Sequence, residues 1–264
     1  MRRAKRRLGQ HFLTDPRLLS RIADALDPKP GDTVLEIGPG PGGLTAALSE
    51  RAGRVVAIEK DRELIPPLRE RFADVTIVEA DALEADWHAL AGPRFLVAGN
   101  IPYNITSPLI DKALEPPRPT RIVFLVQKEV ADRVVAAPGG PTYGALSVGV
   151  QAVARAERLF TIPAGAFQPR PQVDSAVLRL TPLETPLISD PERQGFRRLV
   201  VGLFGFRRKQ LIRGLRELTG WGVEAVEEVL RRTGVEGRAR PETLPPAGFT
   251  VLLRALVDCG WPTR

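Results

Sequence analysis

Three observations predict an α/β fold with a doubly wound, mostly parallel sheet and a small all-helical C-terminal domain. Five short apolar runs rich in β-branched residues recur between residues 33 and 127. Amphipathic stretches of helical period lie between them. Beyond residue 185 the periodicity is helical throughout. The runs are Thr33–Ile37, Arg54–Glu59, Val75–Glu79, Phe95–Gly99 and Arg121–Gln127, with Gly43–Arg51 and Arg62–Phe72 among the intervening helices. Strands that alternate with helices of about ten residues build βαβ units, and such units wind a parallel sheet. Two later runs, Ala154–Thr161 and Ser175–Leu180, extend that sheet. Thr181-Pro182-Leu183-Glu184-Thr185-Pro186 reads as a linker, so a boundary is expected near residue 185. It separates a domain over 1–185 from a helical domain over 186–264, with helices expected at Glu192–Phe204, Arg208–Leu218, Val223–Arg232 and Ala247–Val257.

A chain of 264 residues can bury one large core, or one core and a small satellite. No apolar stretch approaches the ~20 residues that span a bilayer, so no membrane segment is expected. The start, MRRAKRRLGQHFL, is basic and lacks the apolar region of a secretory signal. The single cysteine, Cys259, has no disulfide partner and no metal-ligating companions. No metal is expected, and the expected compartment is a reducing cytoplasm. Net charge is +7, unevenly spread. The first seven residues carry five positive charges, residues 186–264 hold 14 basic against 9 acidic, and residues 8–185 hold 19 basic against 22 acidic. Charge gathered at both ends points to a polyanion, by default nucleic acid. Solvated helix faces and a basic tail are the plainer alternative.

The first strand runs into Gly38-Pro39-Gly40-Pro41-Gly42-Gly43, in which Gly38, Gly40 and Gly43 fit the dinucleotide fingerprint. Glu59 closes the second strand about 20 residues later, where an acid takes ribose hydroxyls. Two cofactors compete for this pattern, NAD(P) and S-adenosylmethionine. A pyrophosphate needs loop N–H donors, and Pro39 and Pro41 remove two of them. Asp81, closing the third strand, is placed to accept from an adenine amino group; capping the turn before Leu83 is its structural alternative.

The chain holds only two asparagines and two tyrosines, and Gly99-Asn100-Ile101-Pro102-Tyr103-Asn104 contains three of these four residues. The segment closes the fourth strand, at the sheet edge where open α/β folds bind ligands. Methyl transfer to a planar exocyclic amine needs such a set. An adenine amino group delocalises its lone pair into the ring, and two acceptors can draw its hydrogens out of plane. The Asn100 oxygen is one acceptor; the carbonyl of Ile101 or of Pro102 is the other, with Pro102 stiffening the backbone. Tyr103 offers a face on which an extruded base stacks, worth about 1–3 kcal/mol. In the alternative, Asn100 starts a turn, Pro102 ends the strand and Tyr103 packs.

Taken in order, several stretches resemble the small-subunit ribosomal RNA adenine dimethyltransferases of the KsgA type along essentially the whole chain. They are Gly9-Gln10-His11-Phe12-Leu13, Glu36-Ile37-Gly38-Pro39-Gly40, Asn100-Ile101-Pro102-Tyr103-Asn104-Ile105, Gln127-Lys128-Glu129-Val130, Tyr143-Gly144-Ala145-Leu146-Ser147, Phe167-Gln168-Pro169-Arg170-Pro171-Gln172-Val173-Asp174-Ser175 and Phe206-Arg207-Arg208-Lys209. The resemblance implies a Rossmann-like methyltransferase sheet and S-adenosylmethionine bordered by His11, Leu13, Gly38, Glu59, Asp81 and Asn100. It implies catalysis at Asn100, Ile101, Pro102 and Tyr103, and a target base flanked by Phe167, which the residues alone would place in the core. Arg207, Arg208 and Lys209 are implied to grip ribosomal RNA. The implied reaction is dimethylation of two adjacent adenosines within an assembling 30S particle by a monomer. Two departures stand out: His11 replaces a common asparagine, and Ile101 replaces leucine, as in related large-subunit resistance methyltransferases. A large-subunit target and a non-catalytic RNA-binding assembly factor are the alternatives.

Overall fold

The computed structural model describes residues 10–262. The basic tail expected to engage a polyanion lies outside the described residues. Among the described residues nine strands form two sheets. They are β1 (Phe12–Leu13), β2 (Thr33–Ile37), β3 (Arg54–Glu59), β4 (Thr76–Glu79), β5 (Leu96–Asn100), β6 (Arg121–Gln127), β7 (Ala154–Ile162), β8 (Phe167–Gln168) and β9 (Ser175–Pro182). The larger sheet has the order β4-β3-β2-β5-β6-β9-β7. Adjacent strands from β4 to β6 pair in parallel, and β9 runs antiparallel to β6. The seven strands expected from the sequence are therefore present and form one sheet. The two-residue strands β1 and β8 pair antiparallel, Leu13 opposite Phe167, and were not anticipated.

The helices are α1 (Pro16–Leu26), α2 (Gly43–Ser49), α3 (Ile65–Arg71), α4 (Trp87–Ala91), α5 (Thr106–Ala113), α6 (Lys128–Val134), α7 (Ala145–Gln151), α8 (Arg193–Gly205), α9 (Leu211–Thr219), α10 (Val223–Thr233) and α11 (Pro246–Asp258). Helix α1 carries strong start signals. Pro16 stands at its first position, and the Asp15 carboxylate accepts from the Arg17 and Leu18 N–H groups. It buries Leu19, Ile22, Ala23 and Leu26 against the sheet. Strands β2 and β5 are buried along nearly their whole length, as central parallel strands must be.

The chain divides into two compact units. One runs to Ala131 and resumes over Ala156–Pro182; the other comprises Asp132–Arg155 and the chain from Leu183. The single boundary expected near residue 185 thus becomes three crossings. Residues 132–155, including α7, group with the C-terminal helices because their polar groups are satisfied there: the Tyr143 hydroxyl donates to the Leu244 carbonyl at 2.8 Å, and the Leu183 N–H to the Val153 carbonyl at 2.9 Å. Short helical runs such as Lys128–Val134 left no linker-like composition to mark that crossing.

Glycine is obligatory where β2 and β5 run side by side. A Cβ on Gly99 would lie 2.6 Å from the Ile37 carbonyl oxygen and 2.9 Å from the Ile101 side chain. Gly99→Ala is expected to lower unfolding free energy by about 1–3 kcal/mol, as overpacking of a tight core does. Gly149→Ala, inside α7 with nothing within 4 Å, is expected to be neutral or stabilising by up to about 1 kcal/mol. Denaturant midpoints of the two variants check the contrast.

Candidate active site

Strand order reverses between β2 and β5: the chain moves outward through β3 and β4, then returns to β5 and moves the other way. Connections leaving in opposite directions open a crevice at the carboxyl ends of these two strands. Its cavity volume is about 160 Å³, and it is lined by residues from 10–13, the glycine loop, Glu59, Asp81 and residues 100–105.

The glycine loop is shaped to approach a ligand closely, but its residues 38–42 have no free N–H donors to offer it. Gly38, Gly40 and Gly42 have φ of +68°, +58° and +86°, conformations that L side chains rarely adopt. Every amide from 38 to 42 is spent or missing. The Gly38 N–H donates to the Ile58 carbonyl at 2.9 Å, Gly40 to Glu59 Oε2 at 3.1 Å and Gly42 to the Pro39 carbonyl at 2.9 Å. Pro39 and Pro41 have no N–H. A pyrophosphate would find no cradle here, so the dinucleotide reading does not fit this loop. A neutral adenosyl group needs none and does fit.

Glu59 is 5% exposed, its oxygens accepting from the Gly40 N–H and, at 2.7 Å, the Asp61 N–H. Burial raises its pKa above the ordinary carboxylate range, and these backbone donors oppose the rise. Glu59 also lines the crevice. Asp81 lines the crevice and makes the turn cap that was its structural alternative. Its Oδ1 accepts from the Leu83 N–H at 2.9 Å, which is the turn cap, while Oδ2 accepts from Lys60 Nζ at 2.5 Å. That lysine hydrogen bond, with the Leu83 N–H, holds the Asp81 carboxyl below its usual range.

The Asn100 amide is locked from an unexpected quarter. Its Nδ2 donates to the main-chain carbonyl of His11 at 2.8 Å. Because a carbonyl can only accept, this bond fixes which way the amide is turned and presents Oδ1 as a free acceptor. His11 is fastened in turn: Nδ1 donates to the Pro169 carbonyl at 2.8 Å, and the ring lies 5.4 Å from the Tyr103 ring. Leu13 is buried beneath the crevice. Between the two open alternatives for a second acceptor the geometry discriminates. The Pro102 carbonyl already accepts from the Ile105 N–H at 3.1 Å and the Thr106 hydroxyl at 3.2 Å. Ile101 is 1% exposed, its N–H donating to the Leu125 carbonyl.

Phe167, implied to flank the target base, is 5% exposed and belongs to the core with Leu13, Leu19 and Ile22, β8 pairing it with Leu13; that is the place the residues alone gave it. In the other unit, Arg207, Arg208 and Lys209 fall in the turn after α8, but only Arg208 is exposed without an ion pair among the described residues. The Arg207 guanidinium binds Glu242 at 2.6 Å and the Pro141 carbonyl at 2.9 Å; Lys209 binds Glu217 at 3.0 Å. Backbone bonds from Leu211 to Ala239 and Ile212 to Gly237 bring exposed Arg238 and Arg240 to the end of α9 that carries Arg213. Spacing in the sequence gave no sign of that gathering.

Sequence patterns also missed Glu36. It lines the crevice floor, 1% exposed, accepting from the Thr45 hydroxyl at 2.7 Å. Burial pushes its carboxyl up to about 8, with the Thr45 hydrogen bond opposing and the Glu59 charge adding. Its buried charge inside a run of apolar strand residues was the available signal.

A family model described as ribosomal RNA adenine dimethylase matches residues 1–253. A ribosomal RNA small subunit methyltransferase A of Geobacter metallireducens is 43% identical over 267 residues, covering 98% of this chain and 97% of its own. One from Acidithiobacillus ferrooxidans is 42% identical, covering 98% and 96%. Among solved structures, a dimethyladenosine transferase from Plasmodium falciparum superposes with a TM-score of 0.85 at 26% identity, covering 95% and 99%. The 23S rRNA methyltransferase ErmE gives 0.73 at 29%, covering 93% and 99%.

The Glu36 carboxyl makes stability pH-dependent in a definite sense. Its folded pKa of about 8 lies above the ordinary 4.5, so the folded state holds a proton that the unfolded state releases. This contribution is fully present below pH 4.5 and is lost as pH rises towards 8, at up to ~1.4 kcal/mol per pH unit. Glu36→Gln keeps an acceptor for Thr45 and removes the titration. The variant is expected to lose less stability than the wild type between pH 5 and 8 in parallel denaturant titrations.

Proposed function

We propose that this chain, which belongs to the ribosomal RNA adenine dimethylase family, dimethylates the exocyclic amines of two adjacent adenosines in small-subunit ribosomal RNA. The substrate is proposed to be an assembling 30S particle in the cytoplasm, and the enzyme to act as a monomer. S-adenosylmethionine, the methyl donor of this family, supplies an electrophilic methyl group on a sulfonium sulfur. Among the described residues no helix is long and apolar enough to cross a membrane.

The observation that carries the reading is the Asn100 amide, held by the His11 carbonyl with its oxygen turned out at the strand switch point. In the proposed mechanism Asn100 Oδ1 and the Ile101 carbonyl accept the two amino hydrogens of the target adenine. Pro102 does not serve, its carbonyl being occupied within the turn. Drawing both hydrogens from the ring plane localises the nitrogen lone pair and aims it at the methyl group. Tyr103 stacks the extruded base, with Pro102 stiffening the approach. Glu59 takes the ribose and Asp81 the adenine of the cofactor, while His11, Leu13 and Gly38 border it. No general base is required, since the proton can leave after the methyl arrives. Catalysis is then chiefly a matter of positioning.

The proposed RNA grip is revised by the ion pairs. Arg207 and Lys209 are committed to carboxylates, so Arg208, with Arg213, Arg238 and Arg240, is the set assigned to phosphates. Similarity to ErmE favours one second reading, methylation of large-subunit RNA; the curated relatives at 42–43% identity favour the small subunit.

Incubation with labelled cofactor and unmethylated small-subunit particles is expected to place label in dimethyladenosine, and protein-free large-subunit RNA to receive none; the reverse pattern would assign the other target. Asn100→Ala is expected to cut turnover at least ~100-fold while leaving particle binding within about twofold, the pattern of an interaction made only in the transition state. Loss of binding instead would make the chain an assembly factor. Replacing Arg208 and Arg238 by alanine is expected to weaken particle binding and reduce the log–log salt slope by about one per residue, whereas Lys209→Ala should change it little.

A further inference from the structure

We propose that Ser175 is a positioning residue for methyl transfer, its hydroxyl clamping the Tyr103 phenol so that the ring stands as a preset platform for the target base. The proposal rests on the reading that Tyr103 stacks that base.

Tyr103 belongs to a short 3-10 turn, residues 103–105, beyond the end of β5 and outside any ladder. The turn sets its backbone but leaves the ring free to rotate. The phenol oxygen lies 2.8 Å from Ser175 Oγ, across 72 positions of sequence. Ser175 is fully buried at the start of β9, and Gln127 of β6 pairs with it. The sheet therefore fixes the hydroxyl to which the phenol is tied. Burial raises the Tyr103 pKa, so the group stays a neutral phenol able to share this hydrogen bond. The second support is His11, whose ring centroid is 5.4 Å away with planes 30° apart. A pair at that distance is in direct contact and admits no third ring between its members. The base must then use the remaining face of Tyr103: Ser175 pins the swing of the ring about Cα–Cβ, and the His11 ring limits its rotation about the Cβ–Cγ axis on which the phenol oxygen lies. A ring fixed in advance spares the ordering cost on base arrival and keeps the amine in line with the methyl group.

The test uses the full chain with Ser175→Ala, Tyr103→Phe, the double variant and Tyr103→Ala. Each is assayed for labelled methyl transfer to unmethylated small-subunit particles, with cofactor affinity and thermal midpoint measured alongside. Ser175→Ala and Tyr103→Phe are each expected to lower kcat about fivefold to tenfold, the worth of one hydrogen bond, with cofactor KM within about twofold. The double variant is expected to be no slower than either single one, because both remove the same bond. Independent, multiplying effects would make Ser175 merely structural and overturn the proposal. So would Tyr103→Phe at the wild-type rate, a result readable even if Ser175→Ala does not fold. Tyr103→Ala separates the two ideas. If it too is fully active, the stacking reading itself fails; if it is inactive while Tyr103→Phe and Ser175→Ala are normal, only the clamp fails.

Discussion

One hydrogen bond joins the two ends of the catalytic unit: the Asn100 amide to the His11 carbonyl, between residues 89 positions apart. Its consequences run both ways. It fixes the amide that faces the crevice, and it ties the segment from Gln10 to Leu13 over the carboxyl edge of the sheet. That segment is only two residues of strand, paired to β8. A pairing so short is not self-sufficient; it gains its place from the amide, from the His11 contact with Pro169 and from Leu13 in the core. The asparagine proposed for catalysis is thus also an architectural one.

Electrostatics in the crevice follow from where the protein spends its own polar groups. Glu36 and Glu59 are both withdrawn from water, yet they are provided for differently. Glu59 has two backbone donors and remains fit to receive hydroxyls. Glu36 has only the Thr45 hydroxyl, and desolvation dominates it. Asp81, less buried and held by Lys60, keeps its charge at the rim. A partly exposed ion pair of this kind adds little stability, so its role lies in keeping an acceptor ionised and oriented.

Much of this was legible in the sequence, for reasons that differ by element. The seven sheet strands announced themselves because central parallel strands are continuous apolar runs, and Val75–Glu79 or Phe95–Gly99 differ from the observed strands by a residue at one or both ends. That Glu59, Asp81 and Asn100 line the crevice was legible because the strand ends of an open α/β sheet border its ligand crevice. What stayed hidden depends on tertiary pairing. The strands β1 and β8 carry no periodicity in two residues, so the pairing of Leu13 with Phe167 could not be read from the sequence. The commitment of Arg207 to Glu242, 35 residues away, turns a basic triplet into a single available arginine. Residues 132–155 join the C-terminal unit through buried hydrogen bonds, without any change in composition to mark them.

The exhausted amides of the glycine loop have a meaning for life in a crowded cell. Nucleoside di- and triphosphates carry the same adenosine as the methyl donor, and they compete for any pocket built around it. A loop whose amides from 38 to 42 are turned inward or missing gives their phosphates no donor, while a cofactor that carries a sulfonium in place of phosphates needs none there. Selectivity here comes from withholding: the protein refuses the common currency by having already satisfied itself.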